Sequence, residues 1–180
     1  NGFETVFAID LPQRREFMHL DTVFTRISKD ECLVYPPLFT KSDDNQIVYR
    51  FEKNKDFEKL DPKKDGLQKL LNENGYKMNF IPSGGNERKN QDDELLTLGA
   101  NVFALAPGNI VGYLQNTFTL KELELNGYSI YSPQTYKEQF DELNKSTEKY
   151  LIYLDETELS RGHGGIRCLT LPIERTNYAD

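Results

Sequence analysis

Two cysteines and two histidines supply all the thiol and imidazole of this 180-residue chain, so any nucleophilic chemistry has few residues to draw on. Cys168 lies in SRGHGGIRCLTLP, residues 160 to 172, behind a glycine-rich turn and ahead of an apolar run closed by proline. The glycines of Gly162-His-Gly-Gly165 can take positive φ and let the backbone approach a ligand closely. The run Ile166 to Pro172 predicts a strand that would carry the sulfur on a rigid backing. His19 stands in Met18-His-Leu-Asp-Thr-Val-Phe24. On a strand, residues i and i+2 share a face, so His19 and Asp21 would present together as a base beside a carboxylate.

Each feature also has a plain reading. A His/Asp pair is common on surfaces, a glycine run can be only a tight turn, and His163 reads as a loop side chain more than as a general base. The His-Gly-Gly run also matches an oxyanion loop of lipases, but the chain has no G-x-S-x-G elbow to go with it. Cys32, in the second strand of a hairpin, reads as core packing.

The elements that must position these residues come in a repeated order. Gly66 to Tyr76 has helical spacing at Leu67, Leu70 and Leu71, with Asp65 as cap and Gly75 as stop. Thr119 to Tyr128 repeats the design, with a capping box from Thr119 to Glu122 and a stop at Gly127. Each helix ends in Asn-Gly-Tyr and runs into a short strand, Lys77 to Pro82 and Tyr128 to Ser132. A hairpin precedes each. Thr22 to Ile27 pairs with Cys32 to Tyr35 around Lys29-Asp30, and Asn101 to Leu105 pairs with Ile110 to Tyr113 around Pro107-Gly108. The unit is therefore ββαβ, used twice, over about 18–82 and 97–132, and such repetition points to a radial or stacked α/β architecture. A third helix starts at Pro133, capped by Ser132, with Tyr136, Phe140 and Leu143 on one face. Residues 41–65 and 83–96 read as polar loops. Thr5 to Ile9 reads as a strand with no earlier partner, which suggests a piece of a larger fold.

Composition narrows the function classes. The 22 basic and 29 acidic residues leave a net charge of −7, which argues against a nucleic-acid surface and is compatible with a cationic small substrate. No apolar run approaches the roughly 20 residues of a membrane span, and Asn1-Gly-Phe-Glu4 lacks the basic start and apolar segment of a secretory leader. With no C-x-x-C and only scattered His and Cys, neither a zinc site nor a disulfide framework is expected, which fits reduced thiols in a cytoplasmic protein.

Taken together, FMHLDTVF near the start and GGIRCLTLP near the end resemble the arginine deiminases, guanidine-modifying enzymes of the pentein type. The resemblance continues through Ser83-Gly-Gly-Asn86, Ala106-Pro-Gly108, Val111-Gly-Tyr113 and Asn116-Thr117. It implies a five-bladed α/β propeller of ββαβ units, of which this chain would be about half, the C-terminal portion. Residues from about 132 to 156 would be an insertion and 160–175 the strand of the nucleophile. By the resemblance, Cys168 is the nucleophile, His19 the general acid/base and Asp21 a carboxylate that grips the guanidinium, with Gly162 and His163 beside the substrate. L-arginine would be hydrolysed to citrulline and ammonia with no cofactor or metal.

A planar, always-charged guanidinium suits forked carboxylate contacts and a soft nucleophile. The family's other substrate carboxylate and a second acidic residue belong to its N-terminal portion, which would have to come from the same fold or a separate chain. An arginine that many members use for the substrate's α-carboxylate corresponds here to His163, with Arg161 and Arg167 as substitutes, although on a regular strand Arg167 would face away from Cys168. Three alternatives stay open: a deiminase for another guanidino compound, an amidinotransferase, and a non-catalytic member acting as a binding or assembly module. No nucleic-acid or membrane partner is expected, and homo-oligomerisation is compatible with the sequence.

Overall fold

A computed structural model describes residues 4–39, 47–60, 66–171 and 173 of the chain. They form three sheets with short helices between them. The first sheet is antiparallel, in the order β1 (Thr5–Ile9), β4 (Val48–Glu52), β5 (Glu58–Leu60). The second joins the hairpin of β2 (Phe24–Arg26) and β3 (Glu31–Val34) to β6 (Asn79–Pro82), which runs parallel to β3 with Cys32 opposite Phe80. The third is ordered β7 (Phe103–Ala106), β8 (Asn109–Tyr113), β10 (Lys149–Leu154), β9 (Tyr128–Tyr131).

The helices are α1 (Pro36–Phe39), α2 (Gly66–Glu73), α3 (Arg88–Leu96), α4 (Thr117–Leu125), α5 (Pro133–Glu138), α6 (Phe140–Leu143) and α7 (Thr157–Arg161). Among the described residues, no helix is long and apolar enough to cross a membrane.

Strand β3 is buried on both faces, as the middle strand of a mixed sheet must be. Its alternation divides the interior. Cys32 and Val34 pack with Phe39, Val48, Leu67 and Phe80, while Leu33 packs with Ile81, Ile110, Leu123 and Leu151. The second group ties the two sheets together, and backbone and charge add to it. The Gly108 N–H donates to the Ile27 carbonyl at 2.8 Å. The nearly buried Glu31 carboxylate accepts from Lys149 Nζ at 2.7 Å and from the Tyr128 hydroxyl at 2.8 Å. A buried carboxylate is costly unless paired and hydrogen-bonded in this way.

Both expected hairpins form, as do both helices with their glycine stops. Gly75 and Gly127 take φ of +88° and +85°, the left-handed conformation that ends a helix with little strain only at glycine. The Asp65 cap lies outside the described residues. Helix α4 begins three residues earlier than the capping box implies, and the box does not form. Glu94 of α3 caps α4 instead, accepting from the N–H groups of Phe118 at 2.8 Å and Thr119 at 2.9 Å. Burial raises the Glu94 carboxyl pKa, and the bonds from Thr119 and Phe118 oppose that rise. The third helix is capped by Ser132 as expected but breaks at Gln139 into α5 and α6.

Three expectations need correction. The stretch 83–96 is no loop, since Arg88–Leu96 is α3; its charges other than Glu94 sit on the more exposed side and conceal the buried Gln91, Glu94 and Leu95. Of 41–65, residues 48–52 and 58–60 are strands. β1 finds its partner later in the chain, in β4, which pairs with it from Thr5–Glu52 to Ile9–Val48. The cysteine does not ride on a strand: Arg167–Leu169 is a single 3-10 turn, and among the described residues of 160–175 no strand forms. Residues 132–156 contain β10, which lies at the centre of the third sheet and is parallel to both neighbours.

Candidate functional site

Residues 15 to 22 fold into two 3-10 turns, Arg15–Phe17 and Leu20–Thr22, anchored by buried Phe17 and Val23. The Thr22 hydroxyl locks the second turn by donating to the carbonyls of His19 at 2.7 Å and Glu16 at 3.1 Å. His19 precedes that turn and Asp21 lies within it, so the strand expected for this pair is absent. A turn with side chains about 120° apart, rather than a strand, sets their directions.

The other half of the site hangs from the C-terminal ends of the parallel strands β8 and β10, where open sheets place their ligand sites. After Leu154 the chain forms α7, then folds back: the His163 N–H donates to the Ser160 carbonyl and the Gly164 N–H to the Leu159 carbonyl, both at 2.9 Å. Among Gly162, His163, Gly164 and Gly165, only His163 takes a positive φ, +56°, where the sequence suggested the glycines would. Gly165 is needed for closeness instead. A Cβ there would overlap the side-chain amide of Asn101.

The two halves meet. Arg15, His19, Asp21, Gly162, His163 and Cys168 line one cavity of about 290 Å³, with Glu16, Met18, Thr22, Leu95, Leu96, Leu98 and Asn101 completing the described wall. All five site residues named from the sequence are therefore in one place. Cys168 is exposed and Cys32 is buried, as their neighbourhoods suggested. Cys32 Sγ lies 4.0 Å from Met78 Sδ, and burial pushes its thiol up to about 11, so it is no nucleophile.

Arg167 differs from expectation. The 3-10 turn brings its Nε to 3.5 Å from Asp21 Oδ2, so the half-buried Asp21 carboxylate already faces a guanidinium. Burial raises the Tyr113 phenol pKa, and the electrostatic influence of Cys168 and Glu156 adds to the rise. Its hydroxyl donates to the Gly164 carbonyl at 2.7 Å.

Arg15, the leucines of α3 and its exit, and Asn101 were not evident as site residues. Asn101 carried no signal beyond its place at the start of a strand, and α3 was hidden by its charges. Such a cavity, with a thiol, an imidazole and a carboxylate in reach of solvent, is equipped to hold a cation and add sulfur to an electrophilic carbon.

Comparison with known proteins identifies relatives of the chain. The chain is 33% identical over 180 residues to an arginine deiminase of Mycoplasma capricolum subsp. capricolum, covering 100% of the chain and 38% of that protein. It is 30% identical over 174 residues to an arginine deiminase of Listeria welshimeri, covering 96% of the chain and 37% of the relative. To an arginine deiminase of Streptococcus gordonii it is 33% identical over 176 residues, or 97% of the chain and 37% of the relative. The chain thus spans less than two-fifths of the length of these curated relatives. The family description "Arginine deiminase" matches residues 1–175, and the chain belongs to the arginine deiminase family.

Proposed function

We propose that this chain is the nucleophile-bearing portion of an arginine deiminase, which hydrolyses L-arginine to L-citrulline and ammonia. The observation that carries this is that His19, Asp21 and Cys168, from opposite ends of the chain, line one cavity. Asp21 holds the substrate guanidinium, a role supported by the Arg167 guanidinium already beside it. The Cys168 thiolate adds to the guanidinium carbon, and the tetrahedral adduct expels ammonia as His19 supplies a proton. Water then attacks the resulting thiouronium carbon, giving up a proton to His19, and the C–S bond breaks to release citrulline and the thiolate. One water is consumed and one ammonia leaves.

His163 and Arg15, the cavity's basic side chains apart from His19, are the candidates to meet a carboxylate. We read the two ββαβ units as blades of an α/β propeller whose remaining blades, from the same fold or a separate chain, complete the substrate's enclosure. The exposed thiol suits a reducing compartment such as the cytoplasm. The test is citrulline release by the chain alone and with an N-terminal arginine deiminase portion added. Activity in the second sample, lost on Cys168→Ala and retained on Cys32→Ala, is the expected result. Full turnover by Cys168→Ala overturns the assignment, and turnover with agmatine in place of arginine redirects it to a guanidino substrate without a carboxylate.

A further inference from the structure

The segment from Gly162 to Leu169 carries the thiol, yet it is neither strand nor regular helix, so something outside it must fix its position. Among the described residues, two side chains from elsewhere hydrogen-bond to it. Tyr113 holds the Gly164 carbonyl, and Asn101 Oδ1 accepts from the Arg167 N–H at 3.3 Å, one residue before Cys168. Asn101 is only 1% exposed although it lines the cavity. Its side chain fills the space a Gly165 Cβ would need, so it meets the segment at two points on either side of the buried Ile166. The amide orientation is set by this bond, because a turned amide would point a donor at the Arg167 N–H.

The platform beneath Asn101 is rigid. Its N–H donates to the Leu98 carbonyl at 3.0 Å, and its neighbours Ala100 and Val102 are in the core. Leu98 takes a φ of +65°, a conformation costly for a leucine unless its surroundings hold it, and Leu98 is 3% exposed.

We infer that Asn101 is the positioning residue of the nucleophile turn: by holding the Arg167 N–H and packing on Gly165, it aims Cys168 at the carbon of a guanidinium bound on Asp21. The inference deepens the deiminase reading and rests on it, but its first test needs no turnover. Amide hydrogen exchange is followed at Arg167 in the chain itself. Asn101→Leu, similar in size but without an acceptor, and Asn101→Ser, small enough to be tolerated but too short to reach, should each speed exchange at Arg167 about tenfold or more, while strands β3 and β8 stay protected. Asn101→Asp keeps the accepting oxygen and should keep the protection.

The second test uses the complemented, active protein. Displacing a nucleophile by about 1 Å can cost on the order of 100-fold. Asn101→Leu and Asn101→Ser should therefore lower the limiting kcat across the pH profile by at least about tenfold and leave KM within about threefold. Asn101→Asp should restore most of it. Unchanged Arg167 exchange in both variants, or a KM effect without a kcat effect, overturns the positioning role. Absence of turnover by the unsubstituted protein overturns the deiminase reading alone, and the exchange result then decides the inference.

Discussion

The two hairpin–helix–strand units share their order of elements but not their pairing. In the first, the strand after the helix docks directly on the hairpin, β6 against β3. In the second, β9 is held away from β8 by β10, which enters between them from later in the chain. The repeated Asn-Gly-Tyr reports where a helix stops, which is a local matter. Which strand occupies the next place in a sheet is decided by competition among apolar segments. Tyr150, Leu151 and Ile152 are buried on both faces and win that place. The consequence is functional, because β10 delivers the chain beside the C-terminal end of β8, and the Cys168 turn follows from there.

The largest effect should come from breaking this difference. Leu151 is fully buried opposite Ile110, and Leu151→Ala should cost about 2–5 kcal/mol, read as a lowered midpoint in urea. If β10 orders the Cys168 turn, the same variant should loosen residues 162–169 more than β2–β3; equal loosening of both would mean β10 is no more tied to the site than to the first unit.

An intermediate effect should appear at high pH. Burial raises Cys32 in the first unit from 9.0 to about 11, and raises Tyr35 beside it and Tyr150 of β10 from 10.0 to about 12. The neutral forms are favoured in the fold, so the unfolded chain loses these protons first. Stability is full below about pH 9 and is lost as pH climbs toward 11 and 12, on the order of 2 kcal/mol for Cys32. Denaturation followed from pH 8 to 11 should show the fall, and Cys32→Ala should flatten its lower part whatever that variant costs at neutral pH. An unchanged slope would remove Cys32 as the source.

The smallest effect should be equal in the two units. Gly75→Ala and Gly127→Ala both force a Cβ into a left-handed conformation, with nothing within 4 Å of the first and only the end of Lys149 near the second. Each should cost about 1 kcal/mol in thermal unfolding. A much larger cost at Gly127 would show that the second unit depends on its helix stop in a way the first does not.

How much was legible follows from what is local. Both hairpins, both glycine stops, the core place of Cys32 and the gathering of His19, Asp21 and Cys168 could be read, the last through a resemblance. Helix α3 could not, because its exposed charges outnumber the few residues it buries, nor could the partner of β1, because Val48–Glu52 carries an arginine and a glutamate among its apolar residues. The strand assigned to Cys168 failed for a different reason. Ile166, Leu169 and Leu171 look like a strand, but only Ile166 finds a core, while Leu169 and Leu171 are exposed. Asn101 illustrates the general limit, since its importance lies in a contact with a segment far along the chain that no local pattern announces.

The central claim is that the exposed thiol at the end of this chain attacks the guanidinium held at its beginning. Acid-quenching the complemented protein during turnover of arginine, followed by peptide mass analysis, tests it most directly. A covalent adduct on the Cys168 peptide that is absent from Cys168→Ala is the predicted result. An adduct on Cys32, or steady turnover with no adduct and no loss in Cys168→Ala, would contradict it.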